Sequence, residues 1–146
     1  MLATIGHIGL NVKEIHRSTR FYRNIFGYEL MGESHDNGNH FAFLGKDAQV
    51  KLTLWQQSSE GFNKTISGLH HLAFQLDSME QVEDFQRKLK DIGVKFIYEG
   101  IVPHAEGTQS GGIYFEDPDG IRLEVYAATG AEKYVAPSAA PSCGFF

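Results

Sequence analysis

His71-Leu72-Ala73-Phe74-Gln75-Leu76 repeats the pattern of His7-Ile8-Gly9-Leu10-Asn11-Val12, 71 − 7 = 64 residues upstream. Each copy opens on a histidine and then alternates apolar with small or polar residues, the period of a strand with one face buried. The offset persists beyond the strands. Phe21 maps to Phe85 and Ile25 to Leu89. Val82, Phe85, Leu89 and Ile92 fall on one helical face, with Ser78 as N-cap and Gly93 as stop. Ser18, Phe21, Tyr22 and Ile25 give the matching stripe, ended by Gly27. Three short strand-like runs follow each helix: 28–31, 40–44 and 50–55, then 95–98, 112–116 and 121–126. Asn37-Gly38 marks a hairpin, and Asp117-Pro118-Asp119-Gly120 a tight turn before the last strand. The final strands are offset by 71 residues, so about seven extra residues belong to the segment 99–111.

The predicted fold is therefore α+β, two tandem βαβββ modules. Their strands form a curved, cup-like mixed sheet with helices on the outside. Residues 1–126 read as one domain, with module 1 at 1–55, a linker at 56–67 and module 2 at 68–126. A small-residue and proline-containing tail occupies 127–146 and is expected to be extended, pinned by Tyr134 or by Phe145 and Phe146.

Alternation assigns Ile8, Leu10 and Val12, with Leu72, Phe74 and Leu76, to the core faces. The closing strands add Val50, Leu52 and Leu54, and Ile121, Leu123 and Val125. The opposite faces carry His7, Gly9 and Asn11; His71, Ala73 and Gln75; Lys51, Thr53 and Trp55; and Arg122, Glu124 and Tyr126. Histidine beside glycine or alanine leaves room for a ligand, and concave sites suit small molecules. His7, His71 and Glu124 are candidate metal ligands. Two imidazoles and one carboxylate suit Fe(II), Mn, Ni, Co or Zn and leave coordination positions open. A one-residue register slip would exchange His71 for His70.

Composition narrows the function classes. The 42% hydrophobic and 21% charged residues are an ordinary globular mixture. A net charge of −5 argues against a nucleic-acid or anionic-membrane partner. The single cysteine, Cys143, permits no internal disulfide and no cysteine-based zinc site, which points to a cytoplasmic setting. No signal peptide and no apolar run of membrane-spanning length is expected.

The string Tyr114-Phe115-Glu116-Asp117-Pro118-Asp119-Gly120-Ile121-Arg122-Leu123-Glu124, with His7 and Gly68-Leu69-His70-His71-Leu72-Ala73-Phe74, resembles the vicinal oxygen chelate superfamily over residues 3–126. That superfamily includes glyoxalase I, type I extradiol dioxygenases, fosfomycin-resistance proteins and bleomycin-binding proteins. The resemblance implies one divalent metal ion, Fe(II) favoured, on His7, His71 and Glu124. It matches the extradiol pattern His…Tyr-x-x-Asp-Pro-x-Gly-x-x-x-Glu, implying that Tyr114 hydrogen-bonds a substrate oxygen and His104 acts as acid or base. The glyoxalase I acid is replaced by Thr53, and the polar residue of fosfomycin-resistance enzymes two after the first histidine by Gly9.

The expected function is a metal-dependent enzyme acting on a small substrate through adjacent oxygens. An extradiol dioxygenase-like reaction is favoured narrowly over a glyoxalase-like lyase or isomerase and a fosfomycin-resistance-type transferase. A metal-free protein that binds an aromatic drug is the alternative of another class, with Trp55, Tyr114 and Tyr126 as walls. A homodimer is the expected assembly. His16, His35 and His40 have no required role in this reading.

Overall fold

The computed structural model describes residues 1–136. It divides into two units, residues 1–62 and residues from 63 onward. The first contains β1 (Ile8–Val12), α1 (Ile15–Phe26), β2 (Glu29–Ser34), β3 (Phe41–Lys46) and β4 (Gln49–Gln56). The second contains β5 (Leu72–Leu76), α2 (Met79–Asp91), β6 (Val102–Pro103), β7 (Gly111–Glu116) and β8 (Arg122–Ala127). The sheets are ordered β1-β4-β3-β2 and β5-β8-β7-β6. In each, the first strand pairs parallel with the last, and the remaining pairs are antiparallel. A helix between first and second strands supplies the crossover that a parallel neighbour needs. The α+β, two-module architecture expected from the repeat is the one found. No helix among the described residues is long and apolar enough to cross a membrane.

Each unit buries its own core. Leu10, Val12, Ile15, Tyr22, Ile25, Leu44, Leu52 and Leu54 are buried in the first, and Val82, Leu89, Ile113, Phe115, Leu123 and Val125 in the second. The two helices begin differently. Ser78 caps α2 by accepting from the Gln81 N–H at 3.3 Å, while the Gln81 side chain accepts from the Asp77 N–H at 3.1 Å. The N-cap of α1 is Glu14, whose carboxylate accepts from the His16 and Arg17 N–H groups at 2.9 and 2.7 Å. Gly27 ends α1 at φ 69°, a left-handed position that favours glycine.

Several local expectations shift. Residues 95–98 form no named strand: a single bridge joins Phe96 to Phe115, although Ile97 N–H still donates to Tyr114 O and Glu116 N–H to Lys95 O. The edge strand is instead the two-residue β6, inside the segment read as an insertion. Its Pro103 has no N–H to extend the ladder. Ile92 lies beyond the last helical residue and is 57% exposed, so it leaves the predicted buried stripe. β2 runs to Ser34, and a bulge between Leu30 and Gly32 changes its register. A two-residue turn at Asp47 and Ala48, both at positive φ, joins β3 to β4 without the usual glycine signal.

Past β8 the chain stays attached to its unit. Ala131 N–H donates to Gln109 O at 2.7 Å, and the Tyr134 hydroxyl and Lys133 ammonium both reach Glu83 on α2. Cys143, Phe145 and Phe146 lie outside the described residues.

Candidate active site

The Asp117 turn sets the position of β8. Its Oδ1 accepts from the Asp119 and Ile121 N–H groups, both at 2.8 Å, and Gly120 completes the reversal at φ 85°. Arg122, also buried, donates from Nε to the His70 carbonyl at 2.9 Å and fixes the chain just before β5. The resulting register places Glu124 opposite Ala73 on one side and Tyr114 on the other. Residues paired across strands share a face, so Glu124 stands in the middle of the sheet between them.

Glu124 is 4% exposed. A carboxylate so placed must be hydrogen-bonded to be tolerated. His71 Nε2 lies 3.1 Å from Oε2. His104 Nε2 lies 2.6 Å from Oε1, and the Tyr114 hydroxyl donates to that same oxygen at 3.1 Å. Burial pushes the Glu124 carboxyl up. The hydrogen bond and charge of His104, the Tyr114 hydroxyl and the charge of His71 outweigh it, leaving the group below its ordinary value.

His104 is held from its other side. Its Nδ1 is 2.9 Å from Ser110 Oγ, and its backbone N–H donates to Ser110 O at 3.0 Å. The sequence reading missed Ser110, which no motif distinguishes from a loop serine. The Tyr126 ring centroid stands 5.3 Å from that of His104, and the Tyr98 ring meets Tyr114 edge-on. The structure therefore brings His71, His104, Tyr114 and Glu124 together. It places His71, not His70, against the carboxylate. His70 Nδ1 instead shares a 2.8 Å contact with His71 Nδ1.

His7 belongs to the first unit and is exposed immediately before β1. Gly9 pairs with Thr53 as Ala73 pairs with Glu124, so Thr53 occupies the position equivalent to Glu124. Its hydroxyl accepts from Trp55 Nε1 at 3.1 Å. Phe43 pairs with Thr53 where Tyr114 pairs with Glu124, and the rings of Phe41, Phe43 and Trp55 gather with centroids 4.9 to 6.0 Å apart.

Among the described residues, no three His, Cys, Asp or Glu side chains stand as a ready metal-ligand group. His71 and His104 take different oxygens of Glu124. The donor chemistry nevertheless fits a divalent ion. The His71 nitrogen and Glu124 oxygen, 3.1 Å apart, are spaced as two ligands each about 2.1 Å from one ion can be.

Comparison with known proteins gives the same fold and a consistent set of relatives. The profile of the Glyoxalase/Bleomycin resistance protein/Dioxygenase superfamily matches residues 4–125. The fosfomycin resistance protein FosX of Listeria monocytogenes is 31% identical over 134 residues, covering 91% of this chain and 96% of that one. Catechol-2,3-dioxygenase of Bacillus subtilis is 24% identical over 126 residues, covering 84% of this chain but 41% of that protein. The crystal structure of Listeria monocytogenes FosX complexed with Mn(II) and sulfate superposes with a TM-score of 0.66 at 28% identity, covering 91% of this chain and 98% of that one.

Proposed function

The chain belongs to the Glyoxalase/Bleomycin resistance protein/Dioxygenase superfamily, and from that membership we propose that it is a divalent-metal enzyme acting on a small molecule through two adjacent oxygens. His7, His71 and Glu124 would hold the ion, with Fe(II) favoured and Zn, Mn, Ni or Co suited to the same donors. The reading rests above all on Glu124, a buried carboxylate with an imidazole on one oxygen and an imidazole and a phenol on the other. Bound there, the ion would supply Lewis-acid stabilisation of charge on the chelated oxygens.

The chain's own groups supply positioning and proton transfer. Tyr114 is the hydrogen-bond donor beside Glu124 and can turn its hydroxyl proton toward a substrate oxygen. His104 Nε2 can take up or release a proton next to the same carboxylate, while the contact of its Nδ1 with Ser110 fixes the ring plane. This pairing favours an extradiol, ring-cleaving dioxygenase-like reaction. A fosfomycin-resistance-type reaction is the second reading, favoured by the 31% identity to FosX. A homodimer remains the expected assembly.

Metal analysis and two substrate arms test these readings. Protein purified without chelator should contain close to one equivalent of a divalent ion per chain. A metal-free protein that binds aromatic ligands without turnover would instead place it among the binding proteins. Protein reconstituted anaerobically with Fe(II) should consume O₂ when a catechol panel is added in air. Oxygen consumption absent across the panel, with fosfomycin consumed by the Mn(II) form, would select the second reading.

A further inference from the structure

Helix α1 contains Arg17, Arg20, Arg23 and His16 but no Asp or Glu, in a chain whose net charge is −5. On α2, by contrast, Asp84 pairs with Arg87 and Glu83 with Lys133. His16, Arg20 and Arg23 follow one another at i, i+4 and i+7, so they share one face of α1. Arg20 and Arg23 are exposed and have no side-chain partner among the described residues. They line a cleft of about 280 Å³ between α1 and β2, together with His16, Thr19 and Glu33.

The presence of Glu33 in this cleft follows from the β2 bulge. Leu30 pairs with Leu44 and Glu33 with Ala42, and both partners are buried on the core side of β3. Without the extra residue at the bulge, alternation would put Glu33 on the opposite face from Leu30. The bulge re-aims an acidic side chain toward a helix face that is otherwise cationic. Glu33 Oε2 contacts His35 Nε2 at 3.0 Å, and no ion pair joins Glu33 to Arg20 or Arg23. The His35 ring in turn stacks on His16 at a centroid distance of 4.5 Å, which braces that wall of the cleft.

We propose that this cleft binds inorganic phosphate, with the Arg20 and Arg23 guanidiniums on its oxygens and Glu33 Oε1 accepting its P–OH hydrogen. Guanidiniums suit oxyanions because their N–H groups form a planar fork. An ionised carboxylate only accepts, so it selects an anion that still carries a proton. Inorganic phosphate at neutral pH has at least one P–OH, whereas sulfate has none and a phosphate monoester is largely deprotonated. The Thr19 hydroxyl, without a hydrogen bond among the described residues, is a further donor on the helix side.

Calorimetric titration of the metal-stripped full chain with inorganic phosphate, at fixed ionic strength, tests this assignment. Sulfate and a simple alkyl phosphate are titrated in parallel. Phosphate should saturate at one per chain, with both comparison anions about ten-fold weaker, the effect of one hydrogen bond left unmade. Arg20→Gln/Arg23→Gln, a change on an exposed face, should abolish binding while preserving the thermal melt. Glu33→Gln should keep oxyanion binding but bring sulfate level with phosphate. Absence of phosphate binding, equal affinity of the wild-type chain for sulfate, or undiminished phosphate binding by the double arginine variant would each overturn the proposal.

Discussion

At the centre of each sheet, three strands meet around one residue. In residues 1–62 it is Thr53, between Gly9 and Phe43; in the second unit it is Glu124, between Ala73 and Tyr114. The register is the same and the chemistry is not. Glu124 has three polar partners, so its charge can be kept in the sheet. Thr53 has the Trp55 indole N–H and, across the strand, Phe43, whose ring packs with Phe41 and Trp55. A duplicated backbone thus offers the same position twice, and the neighbouring residues determine whether it can carry a carboxylate.

The most severe way to break this contrast is Glu124→Ala. If Glu124 is a ligand, metal affinity should fall by at least roughly a hundredfold, more than the usual effect of removing an outer partner. Thr53→Ala should leave metal content unchanged. Elemental analysis after dialysis compares the two, and full metal retention by Glu124→Ala would refute the ligand assignment.

A second contrast is steric. Gly112 occupies the position equivalent to Phe41, since they pair with Tyr126 and Trp55 respectively. A Cβ on Gly112 would stand 2.3 Å from the Val125 carbonyl oxygen, whereas one on Gly9 would meet Thr53 Oγ1 at 3.2 Å. Gly112→Ala should therefore destabilise by about 1–3 kcal/mol in urea unfolding. Gly9→Ala should cost well under that. Equal losses would show that the two sheets have the same tolerance.

Tyr114→Phe removes a donor from a buried carboxylate and should cost about 1–2 kcal/mol. Phe43→Tyr, at the equivalent place, should change stability by less than about 0.5 kcal/mol. Thermal melts of the two variants sharpen the claim that one position demands a hydroxyl and the other does not.

The smallest expected effect separates the helix caps. What burial Glu14 has pushes its carboxyl up, but the Arg17 and His16 N–H bonds and the charges of those residues reverse this, leaving it below its ordinary value. Its contribution is therefore fully present above the ordinary carboxylate range and is lost as pH falls through the lowered folded value. Glu14→Gln should reduce the acid sensitivity of unfolding, with a neutral-pH cost of about 0.5–1 kcal/mol. Ser78→Ala should cost a similar amount with no such pH dependence. Identical pH profiles for the two variants would remove the distinction.

Those parts of the molecule that depend on neighbouring residues were legible in the sequence. Alternation marked β1 and β5, Ser78 marked the start of α2, and Asp117-Pro118-Asp119-Gly120 located the final turn. Glu14 carries no cap signature in the sequence, because a glutamate becomes a cap only when its longer side chain folds back onto the N–H groups. The resemblance implies an acid or base role for His104, but its contact with Glu124 depends on a loop whose path is fixed by Ser110 and by Ala131 against Gln109, and no sequence pattern marks that path. Residues 95–98 have strand composition, yet they meet β7 only through the Phe96–Phe115 bridge and the two hydrogen bonds beside it. The bulge that turns Glu33 toward α1 likewise leaves no mark in a pattern of single-residue alternation.

The Asp117 turn makes the candidate site sensitive to length as well as composition. Losing one residue between Asp117 and Ile121 would slide β8 by one position, exchanging the face of Glu124 with that of Leu123 and Val125. All four polar groups would survive in the sequence, but the carboxylate would enter the hydrocarbon core while aliphatic side chains met His71 and Tyr114. For this strand a single-codon deletion is thus an inversion of inside and outside, far more damaging than most replacements within the turn.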